Sequence, residues 1–366
     1  MSTECEPLNN IHLQDHDAAH SRAALAAVAR ALREKPFRPH PLLNDGHSQT
    51  LGAYFWPRRF RLRGHGNDER RLFEVEPAVR LLAHCRWQED RLAHPTVLLV
   101  HGLEGSSESV YMVSTAIKAF RAGFNVVRLN QRNCGGSEGL TQTLYHSGLV
   151  GDLRAVLGEL TEGDHLARLY LVGFSMSGNM ALKLAGEDAG RTPPELRAVC
   201  AVSPSVDLRS TADAIERRSN WLYRRSFIKA LHRRVRTKKR LYPDVYDTAP
   251  LGRVRTIRDF DELYTARHGG YAGADDYYDR ASSRPLLKDI RLPTLIIHAQ
   301  DDPFIPFEPL RDPSVTGNPN ILLLAPEHGG HVGFVGARAD GEDRFWAENR
   351  VVEFCRLVEE CASDTK

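Results

Sequence analysis

Cysteine is sparse in this sequence. The six residues among 366 (Cys5, Cys85, Cys134, Cys200, Cys355 and Cys361) form no C-x-x-C pair, and no histidine stands at zinc-finger spacing from them. That excludes a disulfide scaffold and a zinc-finger module, and reads as reduced thiols in a cytoplasmic protein. Long apolar runs are missing too. The longest, such as Val97 to Val100, are far too short to span a bilayer. The start, Met1-Ser-Thr-Glu-Cys-Glu6, has no cationic stretch running into an apolar core, so no signal peptide is expected. A net charge of +2 excludes a dedicated nucleic-acid binder. What is present, 42% hydrophobic and 26% charged residues, suits a soluble globular enzyme.

Residues 1–36 read as a polar tail followed by an amphipathic helix over Ala18 to Lys35, with Leu25, Val28, Ala29 and Leu32 at i, i+3, i+4 and i+7. The helix stops before Pro36, and the proline-interrupted stretch after it should run extended over the surface. Beyond Arg70 the pattern predicts strands over Arg71–Glu76, Val79–Trp87, Thr96–Val100, Asn125–Leu129, Leu169–Val172, Ala198–Val202, Thr294–His298 and Ile321–Leu324. Helices are predicted over Val110–Ala122, Gly148–Leu160, Ser177–Glu187 and Arg344–Glu360. Short, wholly apolar strands alternating with amphipathic helices imply a mostly parallel eight-stranded α/β sheet covered on both faces. The two early strands, with no helix between them, suggest an antiparallel edge hairpin.

Residues 208–291 break this rhythm. They hold an intensely basic helical segment, Arg217 to Arg240, and an aromatic, acidic one around Tyr271–Asp279. This reads as a helical cap or lid inserted after the sixth strand, dividing the core into residues 37–207 and 292–366.

The chemistry begins at Leu171-Val-Gly173-Phe-Ser175-Met-Ser177-Gly178. An apolar strand runs into Gly-x-Ser-x-Ser-Gly and then a helix, the setting of a nucleophile elbow with Ser175 at its tip. Such a turn needs small residues two before and two after the serine, a demand that Gly173 and Ser177 meet. Ser177 is the poorer nucleophile, because its own +2 neighbour is Asn179. A second buried strand, Val97 to Val100, ends in His101-Gly-Leu103-Glu-Gly105. By the geometry of acyl-transfer sites, the backbone N–H groups of Leu103 and Met176 become the oxyanion donors. His101 is read as structuring this loop rather than as a base.

An acid and a base should follow in the order Ser, Asp, His. After the strand Thr294 to His298, Asp302 precedes Pro303-Phe-Ile-Pro306 at the Asp-x-x-Val/Ile-Pro spacing and is preferred to Asp301. After the last strand, His331 in Gly329-Gly-His-Val-Gly-Phe334 is preferred to His328. His298, His328, His331 and the aspartates could be read as metal ligands. They lack the i, i+4 pairing of a zinc hydrolase, and an elbow serine has no use there, so neither metal nor cofactor is expected.

Taken together, these residues resemble the YheT-like branch of the α/β-hydrolases, which includes the eukaryotic abhydrolase-domain lipid esterases and the yeast medium-chain ethyl-ester synthase/esterases. The resemblance rests on His101-Gly-Leu-Glu-Gly-Ser-Ser107, Asn130-Gln-Arg-Asn-Cys-Gly-Gly136, Gly173-Phe-Ser-Met-Ser-Gly-Asn179, Asp301-Asp-Pro-Phe304 and Gly329-Gly-His-Val-Gly-Phe334. Pro39-His-Pro-Leu-Leu and His47-Ser-Gln-Thr50 belong to it too. It implies carboxylesterase activity through Ser175, Asp302 and His331 on a small-molecule ester, of short- to medium-chain or lipid-like acyl type. Two departures stand out: Ser177 where members often have glycine, and no sign of the membrane anchor of the eukaryotic members. The family's acyltransferase side draws attention to His12…Asp17 and His40…Asp45, which precede the core and read as chance His-x4-Asp matches.

Two rival functions follow: alcohol transfer on the same triad, and a hydrolase fold kept as a binding protein. The basic segment (Arg217, Arg218, Arg224, Arg225, Arg233, Arg234, Arg236, Lys238, Lys239 and Arg240) with Trp221, Leu222, Tyr223 and Phe227 could meet anionic membrane peripherally. Alternatively it is a solvated face with its apolar residues turned to the active site.

Overall fold

A computed structural model describes residues 23–58 and 68–363. The polar tail, Cys5 and His12…Asp17 lie outside the described residues. One sheet of eight strands organises the fold: β1 (Glu69–Glu76), β2 (Val79–Arg86), β3 (Thr96–Val100), β4 (Asn125–Leu129), β5 (Leu169–Phe174), β6 (Leu196–Val202), β7 (Thr294–Ile297) and β8 (Ile321–Leu324). Their order across the sheet is β1-β2-β4-β3-β5-β6-β7-β8. The β1–β2 hairpin joins antiparallel at the β4 edge, and the rest run parallel.

The apolar strand sequences follow from burial on both faces. Along β5, Leu169 and Leu171 enter one apolar cluster and Tyr170, Val172 and Phe174 the other. Along β6, Val199 and Ala201 alternate in the same way with Ala198, Cys200 and Val202. One face is covered by α4 (Val150–Gly158) and α5 (Met176–Glu187), the other by α3 (Val110–Arg121) and α12 (Trp346–Ser363). The helix α1, residues 23–33, adds Leu25, Val28 and Leu32 to this second face. Each such buried side chain contributes roughly 1.5–3 kcal/mol.

The expected helix over Gly148–Leu160 differs in detail. It begins at Val150, and its α-hydrogen bonding gives way to a π-turn at Glu159–Gly163. A helix not expected from the sequence, α2 (Gly46–Phe55), follows the proline-rich stretch. Asp45 caps it, accepting from the His47 and Ser48 amides, so the His40…Asp45 match has a structural explanation. The proline-rich stretch runs extended, with Pro39 bridging Gly336 and His40 N–H donating to Val335 O at 2.9 Å.

Residues 203–293 join β6 to β7 and hold α6 (Leu208–Ile215), α7 (Trp221–Leu241), α8 (Ile257–Phe260), α9 (Ala266–Gly269) and α10 (Ala274–Ala281). A short α11 (Pro313–Thr316) precedes β8. This insertion has its own apolar cluster, joined to the sheet through Leu144, Phe304 and Ile305. The basic helix α7 is two-sided. Arg234 and Lys238 turn inward, against the expectation that its cations share one outer face, whereas Arg225, Lys229, Arg233 and Arg236 are exposed.

Candidate active site

Leu103, Ser175, Asp302 and His331 follow the C-terminal ends of parallel strands and Met176 opens α5, at the edge where open α/β sheets gather ligands. Ser175 sits between β5 and α5 at φ 55°, ψ −118°, a conformation costing a side-chain-bearing residue about 1–3 kcal/mol. Its amide is held by Val202 O at 2.8 Å. Close packing explains the small neighbours: a Cβ on Gly173 would lie 2.1 Å from Ser177 O, and one on Gly102 2.9 Å from Ser175 Cβ.

Nε2 of His331 lies 3.0 Å from Ser175 Oγ, and its Nδ1 lies 2.8 Å from Asp302 Oδ2. The carboxylate can only accept, so Nδ1 carries the proton and Nε2 is left to accept from the serine hydroxyl. Asp302 is fully buried, and its Oδ1 accepts from the amides of Phe304 and Ile305 at 2.9 and 3.0 Å. Burial alone raises this carboxyl. The His331 imidazole, with contributions from His298 and the Phe304 amide, outweighs it and holds Asp302 below the usual carboxylate range.

The neighbouring alternatives pair with each other. Asp301 Oδ2 meets His328 Nδ1 at 3.1 Å, and Asp301 Oδ1 accepts from Gly330 N–H at 2.9 Å. His101 is fully buried, its Nδ1 facing Gly102 O at 2.8 Å and its Nε2 accepting from the Gln131 amide at 3.1 Å. Burial pushes it down to about 4, so it stays neutral and structures its loop. The Ser177 hydroxyl donates to His101 O, which ties the elbow helix to the end of β3 and gives the serine at this position a structural use. Among the described residues, no three His, Cys, Asp or Glu side chains are grouped to hold a metal ion.

Several supports of the site escape sequence reasoning. His331 N–H donates to Thr50 Oγ1 at 2.9 Å, and Val332 N–H to Ser203 Oγ at 3.1 Å. Buried Gln49 spans the same loop, donating to Val335 O and accepting from Val335 N–H at 2.7 Å. The approach is close enough that a Cβ on Gly330, at φ 59°, would lie 2.3 Å from Gly46 O. The His47-Ser-Gln-Thr50 string thus positions the histidine loop. Likewise, Asn130 Oδ1 accepts from the Ser107 amide at 2.8 Å, and Gln131 Nε2 donates to His101 O at 2.8 Å. The cue available in the sequence was a run of polar residues directly after an apolar strand.

Leu103 and Met176 line one pocket with Ser175 and His331. The loop beyond Leu103 is fixed by Glu104, which accepts from Tyr145 Oη at 2.8 Å and Arg234 Nε at 2.7 Å. The pocket has a cavity volume of about 100 Å³ and extends under the insertion. Its walls are mostly apolar, including Leu208, Ile215, Phe227, Leu231 and Phe260, with Asp261, Thr265 and Tyr278 among its polar groups. Asp261 accepts from Thr265 Oγ1 at 2.7 Å and Tyr278 Oη at 2.9 Å. Burial, which outweighs these bonds, pushes it up to about 6.

Residues 95–337 match the family model described as the alpha/beta hydrolase fold. The Escherichia coli (strain K12) protein YheT is 34% identical over 271 residues, which is 74% of this chain and 78% of that one. The phospholipase ABHD3 of Mus musculus is 30% identical over 247 residues, 67% of this chain but 60% of the relative's length. Among solved structures, the Pyrococcus furiosus esterase Pf2001 shares the fold at a TM-score of 0.53 and 17% identity, over 87% of this chain and 97% of that one. The chain belongs to the α/β-hydrolase fold family, among the esterases and lipases of its YheT-like branch.

Proposed function

We propose that the protein is a serine carboxylesterase in which Ser175, His331 and Asp302 form the catalytic triad and the β6–β7 insertion caps the acyl site. The observation that carries this reading is the hydrogen-bonded line Ser175 Oγ–His331 Nε2 and His331 Nδ1–Asp302, built on a strained elbow. Ser175 Oγ attacks the ester carbonyl as His331 takes its proton, and Asp302 stabilises the imidazolium so formed. The amides of Leu103 and Met176 hold the developing oxyanion, each contributing about 3 kcal/mol. His331 then protonates the leaving alcohol, and water repeats the sequence on the acyl-enzyme.

The apolar walls favour an aliphatic acyl chain. The test is a panel of p-nitrophenyl esters graded by acyl length, together with fluorophosphonate labelling. Expected are labelling at Ser175 and turnover that peaks beyond acetate. Ser175→Ala should lose both, with kcat down at least about 10⁴-fold. Wild-type protein that neither labels nor turns over any ester would refute the proposal.

A further inference from the structure

The helix α7 has one face in the pocket, through Phe227, Leu231 and Arg234, and another turned to water. The outer face carries Arg225, Lys229, Arg233, Arg236 and Arg240, all exposed, and the 21-residue helix holds no Asp or Glu. Among the described residues, Arg225, Lys229, Arg233 and Arg236 have no carboxylate within ion-pair distance. Arg224, by contrast, pairs with Glu216 at 3.0 Å. A row of unneutralised cations on one helix face costs self-repulsion, and an anionic surface relieves it.

Apolar side chains flank the row. At the start of α7, Trp221 is 51% exposed and Leu222 58%. Helix α2 is joined to this end by His47, which stacks on Tyr223 at 5.7 Å and 7°. Four, seven and eight residues beyond His47, on the same helical face, come Leu51, Tyr54 and Phe55, the last two 72% and 74% exposed. Two helices thus present aromatic and aliphatic side chains beside a cationic stripe. Phe304 lies between this surface and the site, its ring 4.5 Å from Tyr223 and 4.8 Å from His331.

We infer that the outer face of α7 and the adjoining face of α2 dock the protein on an anionic lipid bilayer. The chemistry selects that occupant. Phosphate-rich headgroups match the cations, and the interfacial zone takes Trp221, Leu222, Leu51, Tyr54 and Phe55 out of water, as a nucleic-acid backbone would not. Docking sets the cap helix against the source of long-chain esters. That purpose rests on the esterase reading, but the binding itself does not.

The test uses full-length Ser175→Ala protein, sedimented with phosphatidylcholine vesicles with and without phosphatidylserine over a salt series. Binding is expected only with phosphatidylserine and should weaken as salt rises. Replacing Arg225, Lys229, Arg233 and Arg236 together by Ser should weaken it at least about 100-fold, each charge being worth roughly fivefold. Trp221→Ser with Leu222→Ser should weaken binding while keeping its salt dependence. In the Ser175 background, both variant sets should retain wild-type turnover of a soluble short-chain ester, which shows that they fold. Equal binding to neutral vesicles, unchanged binding by the four-residue variant, or preferential capture of duplex DNA over anionic vesicles would overturn the inference. Salt-sensitive binding by a wild-type protein that turns over no ester would count against the catalytic proposal alone.

Discussion

The sheet and the β6–β7 insertion bury their interiors by different means. In the sheet, alternation along each strand sends apolar side chains to both faces, and the polar residues crowd onto the loops at one end. In the insertion, the interior itself is polar in places. Buried Lys238 donates to the Glu138 and Thr141 carbonyls, Arg234 bonds Glu104, and Asp261 is held by Thr265 and Tyr278. A regular sheet fixes backbone directions closely enough to bring Ser175, His331 and Asp302 into one hydrogen-bonded line. The insertion joins the sheet through both its apolar cluster and these polar contacts, so under the proposed function it could be remodelled without redirecting the strand-end loops.

The sharpest way to break this comparison is to strike the strand-end loops. Asp302→Asn should lower kcat about 10⁴-fold, since the amide can leave His331 in the wrong tautomer. Asp301→Asn, one residue away, should cost less than tenfold; equal losses in steady-state kinetics would show the two aspartates have been given the wrong roles. Next comes the contact between the two regions. Arg234→Met leaves Glu104 partnered only by Tyr145 and should destabilise the fold by about 3 kcal/mol in urea unfolding. A change under 1 kcal/mol would mean the insertion is held mainly by its apolar cluster.

Asp261 tests the insertion's polar interior through pH. Its folded pKa, about 6, exceeds the usual 3.8, so the protonated form favours folding. That advantage is present at low pH and is lost as pH rises from about 4 through about 6, costing about 3 kcal/mol in all. Asp261→Asn should lack this slope, so the difference in stability between the two proteins should change by about that amount between pH 4 and 7. Smallest is the effect on specificity: Leu231→Trp should shift the preferred acyl chain shorter, cutting kcat/KM for long esters about tenfold while acetate turnover changes less than twofold.

The elements legible in the sequence are those whose signal is local. The strands β3, β4 and β8 were expected at their observed limits, and the serine, aspartate and histidine loops follow directly from short apolar strands. Of the two neighbouring pairs, His331 with Asp302 meets Ser175, whereas His328 bonds Asp301. Helix α2 was not legible, since its ten residues have little amphipathic pattern and its partners, Gly330 to Val335, lie 280 residues away. For the same reason the inward turn of Arg234 and Lys238 could not be read from a run of cations. Periodicity marks which side chains share a face, but a long-range carbonyl or carboxylate decides which face turns in.

The contact between Thr50 and His331 bears on how the site could be taken apart. The histidine loop is seated on a helix 281 residues earlier in the chain, and Trp346 Nε1 closes the same seam on Lys35 O at 2.7 Å. Detaching residues 46–55 would therefore take away the seat of the His331 loop while leaving the Ser175 elbow, which is held by Val202, in place.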